Sequence, residues 1–175
     1  RHKVRACDEL GIHSEVHRFE AGCSEREVLE RVGRLNHDAR IHGVLVQLPL
    51  PAKLDADRIQ QAVVPEKDVD GFHYQNVGAL VVGDPAFYPC TPWGVMKMLE
   101  HEGVAVEGAH AVVVGRSTIV GKPMALMLVN AGATVTVCHS RTRDLGRITR
   151  QADILVAAVG RARMIGGDMV KPGAV

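Results

Sequence analysis

The chain has 175 residues and a mass of 18.9 kDa, is 46% apolar and 23% charged, and carries a formal net charge of +1. A chain of this length buries roughly 70% of its unfolded surface, so it needs neither disulfides nor a metal to hold a core. These values exclude disorder, collagen and coiled coil, and the balanced, unblocked charge argues against a nucleic-acid footprint or a polybasic membrane patch. Aromatic residues are scarce, with one Trp, two Tyr and three Phe, and Val and Ala carry the core instead. No apolar run approaches the ~18 residues a membrane span requires. The start, Arg1-His-Lys-Val-Arg5, is not followed by an apolar signal segment. Both ends read as cut, and the chain is expected to be a piece of a longer polypeptide. Cys7, Cys23, Cys90 and Cys138 form no CxxC pair, so free thiols in a reducing cytoplasm are expected.

Along the chain, Arg1 to Leu10 reads as the end of a helix stopped by Gly11, and His13 to Glu20 alternates like a strand. Ser24-Glu-Arg-Glu27 has the form of a capping box, and Val28, Leu29, Val32 and Leu35 follow at helical spacing. Gly43 to Leu48 is a short apolar run ended by Pro49 and Pro51, consistent with a buried strand. Asp55 to Val64 reads as a short helix. The alternation predicts a parallel sheet covered by helices. From Glu66 to Cys90 the sequence reads as a long polar, glycine-containing connection, of the kind that is usually functional or linking.

Thr91-Pro92 reads as a helix start, with Thr as N-cap and Pro at the first helical position. Ala111 to Val114 is a second buried-strand run, and Gly115-Arg-Ser-Thr-Ile-Val-Gly121 follows it. Met124 to Ala131 is an almost wholly apolar helix, expected to be buried. Thr134 to Val137, Leu145 to Gln151 and Ile154 to Val159 complete a strand, a helix and a strand. The second half is thus β-α-β-α-β.

A glycine turn between a buried strand and an apolar helix is the setting of a dinucleotide fingerprint. Glycines permit close approach to a pyrophosphate, and the helix N-terminus offers N–H groups and the positive end of its dipole. Gly115 and Gly121 are present, but Ser117 stands at the middle glycine position, where it reads as a donor on the phosphate side. An NAD-type fold carries a carboxylate about 20 residues past the loop. Here the next strand ends in Cys138-His-Ser-Arg141, and the first carboxylate is Asp144. Ser140 and Arg141, with Arg116 in the loop, can accept a 2′-phosphate instead, which predicts NADP. A plain structural turn, with Arg141 a solvated charge, is the alternative reading.

Two other motifs fail. His13-Ser-Glu-Val-His17 lacks the order of a zincin helix and a third ligand, and Gly115 to Ile119 lacks the second glycine of a nucleophile elbow. No metal site is expected.

The segments Gly43-Val-Leu-Val-Gln-Leu-Pro-Leu-Pro51, Pro65-Glu-Lys-Asp-Val-Asp-Gly-Phe-His73, Pro89-Cys-Thr-Pro92 and Val114-Gly-Arg-Ser-Thr-Ile-Val-Gly-Lys-Pro123 occur in this order. With them the whole chain resembles the bifunctional methylenetetrahydrofolate dehydrogenase/methenyltetrahydrofolate cyclohydrolase family, whose members are longer at both ends. The resemblance implies a catalytic lysine at Lys3, aligned through Ala6, Cys7 and Gly11, held and tuned by Gln47, with Asp70 binding the pterin ring. The stacking tyrosine of the family precedes Arg1, and its Pro-Gly-Gly-Val-Gly-Pro segment lies beyond Val175. Lysine can act as acid or base, a neutral amide can orient it, and a carboxylate can accept two hydrogen bonds from a 2-amino-pyrimidinone edge.

The expected fold is α/β in two domains, both incomplete at the chain ends. Residues 1–72 form an N-terminal α/β folate domain with Lys3, Gln47 and Asp70. Residues 73–175 form a Rossmann-type parallel-sheet domain that binds NADP through Gly115, Arg116, Ser117 and Ser140. Residues 91–103 form a helix that bridges the two. The resemblance implies NADP-dependent oxidation of methylenetetrahydrofolate and hydrolysis of the methenyl product, by a cytoplasmic homodimer acting on tetrahydrofolate derivatives without nucleic acid or membrane. The alternatives are a shikimate-dehydrogenase-like NADP oxidoreductase and a non-catalytic NADP-binding module.

Overall fold

The computed structural model describes residues 2–175; the expected helical start at Arg1 lies outside them. The first helix, α1 (His2–Glu9), is closed by Gly11 at φ +69°. The second, α2 (Glu25–His37), begins with the expected capping box. Glu27 N–H donates to Ser24 Oγ, and Ser24 N–H donates to the Glu27 carboxylate at 2.6 Å. Its buried Val28 and Val32 lie one turn apart and meet two clusters: Val28 packs with Leu54 and Ile59, Val32 with Val44 and Val63. Ile59 belongs to α3 (Ala56–Gln61), capped by Asp55, which accepts the Arg58 N–H. Helix α3 is shorter than Asp55 to Val64, because Pro65 opens a 3-10 turn, Pro65–Lys67.

Neither strand expected in this half forms a ladder. His13 to Glu20 pairs with nothing among the described residues, and Gly43 to Leu48 contributes one parallel bridge, Val44 to Asp68. Alternation selects which side chains share a face, but a strand exists only where a neighbour takes its N–H and C=O groups. The segment that looked like a 25-residue connection also differs. It holds α4 (Tyr74–Val82), started by His73, whose side chain accepts the Gln75 N–H, and stopped by Gly83 in the left-handed conformation. The helix is short and buries only Asn76 and Leu80, too little periodicity to stand out in the sequence.

Helix α5 (Cys90–His101) starts earlier than Thr91 predicts. Pro89 is its N-cap, Trp93 N–H donates to the Pro89 carbonyl, and Thr91 is exposed inside the first turn. Then follow β1 (His110–Val114), α6 (Gly121–Asn130), β2 (Thr134–Cys138), α7 (Leu145–Thr149) and β3 (Ile154–Ala157). The sheet is parallel, in the order β2-β1-β3. Because successive side chains alternate, Ala111 and Val113 of β1 pack with Leu99, Met124, Leu128 and Ile154 under α5 and α6. Val112 and Val114 pack with Cys138 and Ala152 on the α7 side. Both faces of β1 are therefore dry, which explains its unbroken Ala-Val-Val-Val run. Beyond β3, Leu155 N–H donates to the Val175 carbonyl and Val175 N–H to that of Asp153.

Candidate active site

Residues far apart in the chain approach one another at the first turn of α1. The Lys3 ammonium donates to Gln47 Oε1 at 3.4 Å. The other end of that amide is fixed, because Gln47 Nε2 donates to the Leu48 carbonyl at 3.0 Å. The amide can then present only its oxygen to the lysine. Both residues are exposed. Asp70 stands close enough to Lys3 to feel its charge. Burial raises the Asp70 pKa above its ordinary value, the Lys3 ammonium pulls it down, and the nearby Asp68 carboxylate pushes it up again.

Asp68 is the residue that sequence reasoning left without a role. It is buried at 5% exposure. Its Oδ2 accepts the His73 N–H at 2.7 Å and the Asn76 amide at 2.8 Å, tying the loop to α4. The Asp-Val-Asp spacing was the only signal, and it does not say which carboxylate turns inward. Asp68 and Asp70 also border a small hollow with Val44, Gln60 and Phe72, into which the buried Gln60 Nε2 brings an unpartnered N–H. Gly71 follows at φ +68°, and a Cβ there would stand 3.0 Å from the Phe87 carbonyl oxygen and 3.1 Å from Pro89 Cδ. The loop that carries Asp70 is thus pressed against the start of α5, whose Cys90 thiol lies 3.8 Å from the Val69 carbonyl.

The second cluster lies at the carboxyl ends of the strands. The chain passes from β1 out to β2 and then back across to β3, so the β1/β3 boundary is the switch point at which such sheets bind ligands. Gly115 sits there at φ +129°, and a Cβ would come within 2.3 Å of the Ala158 carbonyl oxygen. At Gly121 a Cβ would meet the Gly115 carbonyl oxygen. Both positions exclude any side chain. Ser117 Oγ accepts the N–H groups of Val120 and Gly121 at 3.1 and 3.2 Å, and its carbonyl accepts that of Lys122.

This corrects one expectation. Pro123 has no N–H and Met124 donates to the Val120 carbonyl, so the first turn of α6 has no free donor left for a pyrophosphate. The backbone N–H groups of Arg116 to Ile119 have no acceptor among the described residues, and all four residues are exposed. Ser117 keeps its hydroxyl proton free while its lone pairs are engaged, and Arg116, Ser140 and Arg141 are exposed. Neither Arg116 nor Arg141 makes an ion pair among the described residues. The structure therefore brings Lys3, Gln47 and Asp70 together at one place, and Gly115, Arg116 and Ser117 at another. Ser140 stands at the end of β2, whose Cys138 carbonyl accepts the Gly115 N–H. Among the described residues no group of three or more His, Cys, Asp and Glu is placed to hold a metal ion.

A parallel three-stranded sheet with a glycine turn at its switch point, preceded by a smaller helical half that carries a Lys-Gln-Asp constellation, defines a two-domain nucleotide-dependent α/β protein. Comparison with known proteins narrows this further. The family model described as tetrahydrofolate dehydrogenase/cyclohydrolase, catalytic domain, matches residues 1–70, and its NAD(P)-binding domain matches residues 89–175. The chain belongs to the tetrahydrofolate dehydrogenase/cyclohydrolase family. It is 61% identical over all 175 residues to the bifunctional protein FolD of Bordetella avium and to that of Paracidovorax citrulli. In each case it spans 62% of the relative's length.

Among solved structures it is similar to the bifunctional enzyme FolD, a methylenetetrahydrofolate dehydrogenase/cyclohydrolase from Campylobacter jejuni. There the TM-score is 0.97 at 48% identity, covering 99% of this chain and 62% of that one. The methylenetetrahydrofolate dehydrogenase-cyclohydrolase of Trypanosoma brucei, complexed with NADP cofactor and inhibitor, matches with a TM-score of 0.94 at 37% identity, covering 99% of this chain and 60% of that one.

Proposed function

We propose that the polypeptide oxidises 5,10-methylenetetrahydrofolate with NADP and hydrolyses the resulting methenyl compound to 10-formyltetrahydrofolate. The observation that carries this reading is the Lys3–Gln47 contact beside Asp70, three residue types that the chemistry needs and that 67 positions of sequence separate. Residues 1–72 serve the folate and 73–175 the nucleotide, with α5 as the bridge between them. Its first turn touches the Asp70 loop, and its Leu99 packs in the core beneath β1.

Opening the methenyl bridge requires water to add at an electron-poor carbon, with protons moved on and off. Lys3 Nζ gives up a proton and takes it back, and the Gln47 oxygen holds it without adding charge. Ionised Asp70 accepts two hydrogen bonds from the 2-amino-pyrimidinone edge and sets the ring's orientation. NADP supplies the hydride acceptor. Its pyrophosphate is held by the free N–H groups of residues 116–119 and the Ser117 hydroxyl, over the side-chain-free surface of Gly115. Ser140 and Arg141, with Arg116 from the loop, receive the 2′-phosphate, with no carboxylate at the end of β2 to repel it.

Replacing Lys3 with Met is expected to abolish hydrolysis while NADPH formation partly survives. The separate rates of methenyl disappearance and NADPH appearance measure this, and undiminished hydrolysis would remove Lys3 from the mechanism. A homodimer paired through the nucleotide half is also part of the proposal. It is supported by the unpaired outer edge of β2, where Val137 is exposed, and sedimentation tests it. No described helix is long and apolar enough to cross a membrane; a cytoplasmic location, with no nucleic-acid partner, fits the near-neutral charge.

A further inference from the structure

The turn after β2 is closed by its own side chains, and it presents two others that nothing in the turn uses. Thr142 N–H donates to the His139 carbonyl at 2.8 Å, and His139 N–H donates back to Thr142 Oγ1 at 2.8 Å. Arg141 N–H donates to His139 Nδ1 at 3.1 Å. The turn is anchored below by Cys138, fully buried against β1. Ser140 and the Arg141 guanidinium stand at the exposed apex.

From this geometry we propose that His139 is a specificity-determining positioning residue. Its imidazole holds the turn in the one shape that aims Ser140 and Arg141 at a 2′-phosphate. The inference rests on the NADP reading above and goes beyond it, since His139 acts through Ser140 and Arg141 and not on the cofactor. The chemistry of the ring is specific. Nδ1 can accept the Arg141 N–H only through a free lone pair, so the ring is neutral with its proton on Nε2. A side chain that accepts the N–H two residues on builds a local turn of the kind Asn and Asp also form.

The energetic consequence falls on one part of the cofactor. An anion at Ser140 and Arg141 needs both residues presented together. A turn closed before binding spares the ligand the cost of ordering it. A nucleotide without the 2′-phosphate makes no use of that order.

The test measures affinities of the 175-residue chain for NADP, NAD and 2′,5′-ADP by fluorescence titration, alongside thermal melting. His139→Ala is expected to weaken NADP and 2′,5′-ADP about fivefold to tenfold, the worth of one positioned hydrogen bond. The loss is confined to ligands that carry the 2′-phosphate. His139→Asn, whose Oδ1 can accept the same Arg141 N–H, is expected to restore most of it. An equal loss for NAD, an unchanged NADP affinity, or no rescue by Asn would each overturn the role of His139. Equal affinity of the unsubstituted chain for NADP and NAD would overturn the NADP reading itself, and His139 with it.

Discussion

Asp70 carries the most informative charge in the molecule. Burial and the neighbouring Asp68 both favour its protonated form, and Lys3 opposes them. If Asp70 binds the pterin as proposed, through its ionised carboxylate, affinity for a folate ligand should fall with decreasing pH through a midpoint above the usual carboxylate value of about 4. Titration of folate affinity against pH measures this midpoint. Lys3→Met removes the favourable charge and should move it upward; Asp68→Asn should move it downward. The sign for stability is the reverse of the common carboxylate case. A pKa raised in the folded state makes ionised Asp70 a burden above its unfolded pKa, relieved as the pH falls through the folded value. Asp70→Asn should therefore raise the unfolding midpoint at neutral pH while it destroys folate binding. On the nucleotide side, Arg116→Ala should weaken NADP far more than NAD; equal losses would argue against a 2′-phosphate contact.

At the scale of single elements, two local devices have calculable worth. The capping box of α2 satisfies two backbone donors at once, and Ser24→Ala should cost about 1 kcal/mol in urea unfolding. The glycine turn is less forgiving. A methyl group at Gly121 would press on the Gly115 carbonyl and the Arg116 nitrogen, both of them backbone with nowhere to move. Gly121→Ala should displace the start of α6, lower the melting temperature and abolish nucleotide binding, whereas Gly94→Ala, on the open face of α5 with no neighbour in reach, should leave binding intact. Core substitution behaves differently again. Leu128→Ala, beneath the sheet at full burial, should destabilise by about 2–5 kcal/mol without altering cofactor selectivity.

Over the whole molecule, the two halves communicate through a narrow region. Gly71 presses on Phe87 and Pro89, Cys90 reaches the Val69 carbonyl, and the Asp68 carboxylate accepts from the His73 N–H and the Asn76 amide. Gly71→Ala strains a left-handed backbone and crowds that contact at once, at a cost of about 1–3 kcal/mol. It is expected to weaken folate binding through the adjacent Asp70 and to leave NADP affinity close to its original value. Parallel binding curves for the two ligands decide this, and an equal loss of NADP would show that the halves cannot be perturbed separately.

Much of this protein is set by short-range chemistry and is legible in its residues. The capping box at Ser24, the buried Val run of β1, the glycine turn and the absence of a carboxylate after β2 all act over a few positions, and the α/β class follows from their order. What lies beyond local reach was decided by packing. Which of Asp68 and Asp70 turns inward depends on Asn76 and His73, supplied by a helix too short to announce itself. Whether Gly43 to Leu48 becomes a strand depends on a neighbour that its own pattern cannot provide. The α6 N-terminus lost its free donors to Ser117, because a hydroxyl four residues upstream folds back onto them. Lys3 and Gln47 were recognisable only as members of ordered motifs; their contact across 44 positions exists because α1 and the Gly43–Leu48 segment are brought side by side. Periodicity and turn chemistry determine the elements, since each depends on neighbours in the chain. The site belongs to the tertiary structure, since its hydrogen bonds join residues that only folding makes neighbours.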